Sequence, residues 1–208
     1  MKSIIISGTD TGVGKTLVSA MLMASLPEYS YWKPIQSGTA DGTDSKTVRS
    51  LSGCSPERIL PEAYIFSQPL SPHLAASLDG KTIEPEKLRL PNVAPLIVEG
   101  AGGLLVPLAE HLLFIDVFES WNLHVLLVCR SGLGTINHTL LCIEALRRRD
   151  IPLLGCVLIG EINPENEKAI KHYGETEVLG RIPPIPSFTA ETLRGTFNQH
   201  LYALKSIL

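Results

Sequence analysis

The chain has 208 residues, of which 44% are hydrophobic, and this length and composition predict one α/β domain spanning residues 1–208 with a sizeable core. A net charge of −3 at pH 7 gives no reason to expect binding to nucleic acid or to an anionic membrane. Four cysteines without a C-x-x-C pair, and an N-terminus that leads directly into an apolar run, predict a reduced cytoplasmic protein without a signal peptide.

The first predicted strand and helix enclose a glycine-rich turn. Ile4 to Ile6 is a β-branched run typical of a buried strand, and Lys15 to Ala24 has the composition of a helix. The turn between them predicts a phosphate-binding loop, although five residues rather than the usual four separate Gly8 from Gly14. In such a loop the main-chain N–H groups bind phosphate oxygens, the lysine neutralises the β- and γ-phosphates, and the next hydroxyl ligates Mg²⁺. We therefore expect a nucleoside triphosphate site.

A second strand is predicted from Tyr29 to Ile35, followed by a glycine-containing loop. Lys33 would lie near the carboxyl end of this strand, where open parallel sheets bind their ligands, but its spacing is equally compatible with an ordinary surface lysine. Asp44 precedes a short helical segment that ends near Gly53. Its carboxylate is either the cap of that helix or a ligand of a metal ion in the cleft.

The middle of the chain contains a second candidate for metal binding. Residues 54–92 are rich in proline and predict mostly irregular structure, with one short helix that Ser71 caps and Pro72 opens. The apolar strand Pro95 to Glu99 then ends in a carboxylate before a glycine turn. In phosphate-loop enzymes a neighbouring strand delivers an acid to Mg²⁺ and its waters, so Glu99 is a candidate ligand.

The remaining chain alternates predicted helices and strands. The pattern indicates a doubly wound, mostly parallel sheet with helices on both faces, of the P-loop NTPase type. A second glycine turn before residue 135 is suited to binding a carboxylate at a helix N-terminus. The predicted strands are His124–Cys129, Leu153–Ile159 and Glu177–Pro183, and the predicted helices are His111–Trp121, one ending near Arg149, Pro164–His172 and Thr189–Leu208.

Five segments form a second level of pattern, namely Gly8 to Thr16, Lys33-Pro34 with Ser37-Gly38, Ser71-Pro72-His73, Val98 to Gly103, and Leu133 to His138. In this order and at these spacings, they resemble the dethiobiotin synthetase family. The resemblance implies an ATP-dependent enzyme of biotin synthesis that captures CO₂ on one amine of 7,8-diaminopelargonic acid as a carbamate. ATP then phosphorylates the carbamate, and the second amine closes a ureido ring.

The same resemblance implies roles for individual residues and a homodimer with active sites at its interface. It assigns catalysis to Lys15 and Lys33, hydrogen bonds with the carbamate and substrate to Thr11 and Ser37, and Mg²⁺ binding to Thr16, Asp44 and Glu99. The substrate's distant carboxylate would be bound, from the other subunit, by Gly134, Thr135, Ile136 and Asn137. Further nucleotide contacts are assigned to Gly12, Val13, Gly14, Leu17, Gly100, Ala101, Gly102, Pro183, Pro184 and Ile185. Ile159 stands where the family usually carries an asparagine that reads the adenine edge.

Two other classes share parts of this pattern. A glutamine-dependent amide ligase of the cobyric-acid type has a similar loop but needs an attached amidotransferase domain, for which 208 residues leave no room. A partitioning or site-selection ATPase, which acts as a nucleotide-controlled switch, normally carries a lysine near the start of its phosphate loop. The run Gly8-Thr9-Asp10-Thr11 contains none, which disfavours this alternative.

Overall fold

The computed structural model describes residues 2–208, which form a layered arrangement of strands and helices. In chain order the strands are β1 (Ile4–Gly8), β2 (Ser30–Trp32), β3 (Ile35–Ser37), β4 (Ile59–Leu60), β5 (Tyr64–Phe66), β6 (Leu96–Glu99), β7 (Pro107–Ala109), β8 (Leu112–Leu113), β9 (His124–Arg130), β10 (Leu153–Ile159) and β11 (Val178–Ile182). The helices are α1 (Lys15–Ser25), α2 (Asp44–Ser52), α3 (Pro72–Leu78), α4 (Phe114–Trp121), α5 (Thr135–Arg147), α6 (Pro164–Gly174), α7 (Ala190–His200) and α8 (Tyr202–Ile207).

Seven strands form the central sheet in the order β11-β10-β9-β1-β6-β2-β4, and every pairing within it is parallel. Successive residues of the central strand β1 point to opposite faces. Ile4 and Ile6 pack in a core with residues of α1, α7 and α8, whereas Ile5 packs with residues of α4 on the other face. The predicted doubly wound α/β fold is confirmed.

The predicted strand from Tyr29 to Ile35 is wrong, because it is two strands in different sheets. Strand β2 lies between β6 and β4 and ends at Trp32, while β3 pairs with β5 in a separate sheet. Pro34 has no N–H to donate and therefore cannot continue a strand with neighbours on both sides. The chain turns at Lys33 and Pro34, and Lys33 does lie just beyond the carboxyl end of a strand.

Other predicted boundaries also differ from the structure. Residues 54–92 are less irregular than expected, since they contain β4, β5 and α3, and Ser71 makes no side-chain cap to α3. The predicted helix from His111 starts later, at Phe114, because β7 and β8 form a hairpin before it. The carboxylate of Asp116 accepts a hydrogen bond of 2.7 Å from the N–H of Leu113 and fixes this start. The last helix is divided at Leu201, beside Gly180 of β11.

Helix α1 follows the phosphate-binding loop, and its far end is fixed by Arg58. The guanidinium of Arg58 donates hydrogen bonds to the carbonyl oxygens of Leu26 at 2.7 Å and Met23 at 3.2 Å. It also donates to the carbonyl of Tyr29 at 2.7 Å, which precedes β2. Carbonyls at the end of a helix have no partner within the helix, so a cation from outside supplies one.

Two features of the structure concern the state of the cysteines and the apolar character of the helices. All four cysteines are free thiols. Over residues 2–208, no helix combines the length and the apolar composition that crossing a bilayer requires.

Candidate active site

A cavity of about 670 Å³ opens where β1, β2 and β6 end, at the carboxyl edge of the sheet. This is the edge at which open parallel sheets bind ligands. The lining combines the phosphate-binding loop, the residues after β2 and β6, and one side of the proline-rich segment. It consists of Thr11, Gly12, Gly14, Lys15, Thr16, Lys33, Ile35, Gln36, Ser37, Asp44, Pro69, Leu70, Ser71, Pro72, Glu99, Ala101, Gly102 and Val106.

The phosphate-binding loop is closely packed where it enters α1. Gly14 has a φ of +101°, a backbone conformation that is strained for any residue with a Cβ atom, and a Cβ atom built on it would lie 2.5 Å from Cδ1 of Ile159. Lys15 follows with only 6% of its surface exposed, and its Nζ donates a hydrogen bond of 3.0 Å to the carbonyl of Asp10. Burial and the nearby charge of Lys33 lower the pKa of Lys15 to about 8. The site therefore already contains two closely spaced cations.

Lys33 lies in the centre of a network of three acceptors. Its Nζ is 2.6 Å from Oδ2 of Asp44, 3.1 Å from Oε1 of Glu99 and 2.9 Å from the carbonyl of Gly100. Burial alone would lower the pKa of Lys33, but the two carboxylates more than offset it, and the pKa is raised above its usual value. The same ion pair holds the pKa of Asp44 below its usual value despite partial burial. Both groups are charged at neutral pH.

Glu99, the last residue of β6, is completely buried and accepts hydrogen bonds on both carboxylate oxygens. Oε1 faces the hydroxyl of Thr16 at 2.9 Å and the ammonium of Lys33 at 3.1 Å. Oε2 accepts from the hydroxyls of Ser19 at 2.7 Å and Tyr31 at 2.9 Å. Burial and the charge of Glu99 raise the pKa of Tyr31 well above its usual value, so the Tyr31 hydroxyl remains a donor.

Three oxygen-bearing side chains meet at the cavity and have the chemistry of a magnesium site. The hydroxyl of Thr16 lies 3.2 Å from Oδ1 of Asp44 and 2.9 Å from Oε1 of Glu99. Mg²⁺ takes oxygen ligands and is usually bound by one or two carboxylates together with phosphates and water. Within residues 2–208 no group of three or more His, Cys, Asp or Glu side chains is placed to hold a metal ion, and the present set consists of two carboxylates and one hydroxyl.

The last two residues of β3, Gln36 and Ser37, line the other side of the cavity. The side chain of Gln36 accepts a hydrogen bond of 2.9 Å from the N–H of Asp44 and donates to the carbonyls of Ser37 and Gly38 at 3.2 and 3.0 Å. The hydroxyl of Ser37 is buried and has no hydrogen-bond partner among residues 2–208. A buried polar group without a partner is costly, and in a cavity it is a candidate for contact with a ligand.

The sequence left two roles open for Asp44, as the cap of α2 or as a metal ligand, and the structure decides on the first. The interpretation of Asp44 as the cap of α2 is wrong, because the Thr43 hydroxyl performs this function by accepting a hydrogen bond from the N–H of Lys46. Asp44 is the first helical residue, where a carboxylate is stabilised by the helix dipole, and its side chain faces Lys33.

Several predicted site residues do not line this cavity. Val13 and Leu17 pack their side chains in the core beneath the loop, and Gly100 contributes only its carbonyl, to Lys33. Residues 183–185 follow β11, further along the same edge of the sheet. Residues 134–137 begin α5, and within this single chain the structure does not bring them to the cavity.

Sequence reasoning missed three residues of the network, namely Ser19, Tyr31 and Gln36. Periodicity contained a signal for two of them. Ser19 lies three residues after Thr16 on a helix, and Tyr31 lies two residues before Lys33, spacings that place side chains on the same side. No comparable signal marks Gln36, whose partners depend on the turn that follows it.

The parallel sheet with a phosphate-binding loop at its edge defines the class of P-loop nucleotide-binding α/β proteins. Among solved structures, the cell division ATPase MinD of Pyrococcus furiosus superposes with a TM-score of 0.59 over the full length of both chains. Its sequence identity to this chain is 18%, so the likeness shows the fold alone. The likeness to MinD is therefore not evidence that this chain is a nucleotide-controlled switch.

Relatives at much higher identity define the family. The model of a family described as "AAA domain" matches residues 2–192. The ATP-dependent dethiobiotin synthetase BioD of Agrobacterium fabrum is 53% identical over 197 residues, which cover 94% of this chain and 92% of that protein. The enzyme of the same name from Rhodopseudomonas palustris is 52% identical, over 96% of this chain and 93% of its own length. The chain belongs to the family of ATP-dependent dethiobiotin synthetases.

Proposed function

We propose that the cavity catalyses the ATP-dependent carboxylation and ring closure of 7,8-diaminopelargonic acid to dethiobiotin. The observation that carries the proposal is that Lys15 and Lys33, both more than nine-tenths buried, line one cavity together with Thr16, Asp44 and Glu99. This reaction must bring an anionic carbamate to an anionic triphosphate. Two buried cations beside a candidate metal site suit that requirement.

The reaction balances in three steps. One amine of the substrate forms a C–N bond to CO₂ and loses a proton, which gives a carbamate. An oxygen of the carbamate attacks the γ-phosphorus of ATP, ADP leaves, and a carbamic–phosphoric anhydride forms. The second amine then attacks the carbonyl carbon of the anhydride, a proton and inorganic phosphate leave, and the ureido ring closes.

Each charged side chain has a role that follows from its position. Two like charges at contact distance repel by several kcal/mol in a partly desolvated site, on the order of 4 kcal/mol at 4 Å. Lys15 would hold the β- and γ-phosphates, while Lys33 would face the carbamate and the transferring phosphoryl group. The hydroxyl of Thr11 and the unpartnered hydroxyl of Ser37 would donate hydrogen bonds to the carbamate and the substrate. Mg²⁺ held by Thr16, Asp44 and Glu99 would neutralise phosphate charge.

The nucleotide base would lie further along the same edge of the sheet. Ile159 packs against Gly14 of the phosphate-binding loop, and Ile182 at the end of β11 is the neighbour of Ile159 in the sheet. A nucleotide bound at the loop would therefore direct its base towards Pro183, Pro184 and Ile185. Because the side chain of Ile159 is apolar, hydrogen bonds with the base edge would come from the main chain.

The distant carboxylate of the substrate would be bound by a second copy of the chain. Residues 134–137 open α5, where free N–H groups and the helix dipole favour an anion. Leu133 is completely exposed in the single chain, and Leu141 on α5 is also largely exposed. Exposed leucines beside a predicted anion site support an interface in this region, with the homodimer completing each active site.

A product assay tests the proposal. Purified protein with Mg²⁺, ATP, isotopically labelled bicarbonate and 7,8-diaminopelargonic acid should form labelled dethiobiotin, ADP and phosphate in equal amounts. Omission of the diamine should abolish the consumption of ATP. Brisk hydrolysis of ATP that does not depend on the diamine, without any labelled product, would instead favour a nucleotide-controlled switch.

A further inference from the structure

We propose that Tyr31, together with Ser19, is a positioning residue of the active site, because the two hydroxyls hold one oxygen of Glu99 and turn the other towards the cavity. The inference rests on the proposed function in one respect, the role of Glu99 in binding Mg²⁺. Tyr31 and Ser19 do not line the cavity and would not touch ATP or the diamine. They would act through Glu99 alone.

The sheet register places the tyrosine hydroxyl at the carboxylate. Tyr31 on β2 is the direct neighbour of Ile97 on β6, and side chains two residues apart on a strand share a face. Glu99 therefore lies on the same face as Tyr31, one step along the neighbouring strand. The serine reaches the same oxygen from α1, which covers this face of the sheet.

These contacts fix the orientation of the Glu99 carboxylate. Both donors contact Oε2, at 2.7 Å and 2.9 Å, and all three side chains are completely buried. Hydrogen bonds from neutral donors to a buried carboxylate are charge-assisted and stronger than those between neutral groups. Rotation of the carboxylate would break both bonds without water to replace them. Oε1 is therefore kept beside Thr16 and Lys33, at the edge of the cavity.

Groups that orient a metal-binding side chain affect metal affinity strongly. Replacement of such groups typically costs about 10–100-fold in metal affinity or activity. Tyr31→Phe removes a single oxygen atom and leaves the ring in place. We expect it to raise the Mg²⁺ concentration that half-saturates ADP binding by about tenfold or more, without comparable weakening of ADP binding in the absence of Mg²⁺.

Tyr29→Phe is a matched control within the same chain. Tyr29 is also completely buried, but its hydroxyl bonds the main-chain carbonyls of Lys2 and Leu208 rather than a site residue. ADP binding is measured by calorimetry over a range of Mg²⁺ concentrations, and the melting temperature of each variant is recorded. Tyr29→Phe should keep the wild-type Mg²⁺ dependence within about twofold, even where its melting temperature falls. A Tyr31→Phe protein with wild-type Mg²⁺ dependence would overturn the proposal.

A second pair of variants keeps the proposal testable where Tyr31→Phe does not fold. Ser19→Ala removes the other donor to Oε2, and Ser25→Ala on the same helix removes a hydroxyl that has no partner. Only Ser19→Ala should raise the required Mg²⁺ concentration, and no change in it would equally overturn the proposal. The proposal would also be overturned if the wild-type protein bound ADP equally well with and without Mg²⁺. Failure of the product assay alone would refute the proposed reaction and leave the role of Tyr31 standing.

Discussion

Lys33 and Glu99 form an ion pair of 3.1 Å in which the lysine side chain is 4% exposed and the glutamate side chain is not exposed at all. Charges this deeply buried are stable only as partners, since each compensates the desolvation of the other. The three N–H groups of Lys33 all have acceptors, namely Asp44, Glu99 and the carbonyl of Gly100. Contact between Lys33 and a substrate oxygen must therefore replace or share one of these bonds.

Lys33→Ala should impair both catalysis and stability. Loss of a preorganised cation that stabilises transition-state charge typically lowers kcat by about 10²–10³-fold. Breaking a buried ion pair also costs about 3–5 kcal/mol in the free energy of unfolding, because Asp44 and Glu99 both lose their partner cation. Steady-state kinetics and urea unfolding measure the two effects. The control variant is Lys46→Ala, which removes an exposed lysine. A kcat within a few-fold of wild type would remove Lys33 from the mechanism.

Glu99→Gln should weaken Mg²⁺ binding while it keeps most hydrogen bonds of the site. The amide can still accept from Lys33 and Thr16 through its oxygen, and its NH₂ group can donate to the hydroxyls of Ser19 and Tyr31, which can reverse their roles. The negative charge that a divalent cation requires is lost. The Mg²⁺ concentration for half-maximal activity should rise by at least tenfold. An unchanged Mg²⁺ titration would count against a ligand role for Glu99.

ADP binding without Mg²⁺ should weaken above about pH 8. Burial and Lys33 lower the pKa of Lys15 to about 8 in the free protein, and a bound phosphate would raise it again by favouring the ammonium form. Affinity is therefore constant below this pKa and falls by up to about tenfold per pH unit above it, with proton uptake on binding. Lys33, whose pKa is raised, stays charged over this range.

Calorimetry between pH 7 and 9.5, in two buffers of different ionisation enthalpy, measures both the affinity and the proton uptake. The Lys15→Arg variant is the control, because its guanidinium does not titrate in this range and any affinity that remains should be independent of pH. An ADP affinity of the wild type that stays flat up to pH 9.5 would contradict the lowered pKa of Lys15.

Ser37→Ala should lower activity without loss of stability. The hydroxyl of Ser37 is buried and unpartnered in the protein, so its removal takes away no hydrogen bond and eliminates an unsatisfied polar group. The melting temperature should stay the same or rise, while kcat/KM for the diamine falls by about tenfold or more. Ser25→Ala removes another unpartnered hydroxyl, away from the cavity, and should leave kcat/KM unchanged. Equal kcat/KM values for the two variants would show that Ser37 does not contact substrate.

The sequence predicted those parts of the site that lie next to a recognisable strand end. Lys15 and Thr16 follow β1, and Glu99 ends β6, so local patterns were sufficient to place them at one edge of a parallel sheet. The contact between Tyr31 and Glu99 joins residues 68 positions apart and exists only because β2 is the neighbour of β6. The order of the strands is set by packing of the whole sheet, so it cannot be predicted from the periodicity of one segment.

Local chemistry also explains where the predicted boundaries failed. The apolar run around Tyr31 and Ile35 is continuous in composition, yet Pro34 interrupts its hydrogen bonding. The hairpin of β7 and β8 is too short to produce a periodic pattern, so it was absorbed into the predicted helix that follows.

The hydrogen bonds from Arg58 to the end of α1 link a residue far from the cavity to nucleotide binding. Helix α1 has 11 residues and behaves as a rod about 17 Å long, with the phosphate-binding loop at one tip and the guanidinium at the other. Loss of these hydrogen bonds would leave the last carbonyls of α1 without partners and would destabilise the helix that follows the loop. Arg58→Ala should therefore appear in screens as a heat-sensitive enzyme that added nucleotide rescues, although the arginine itself never meets a phosphate.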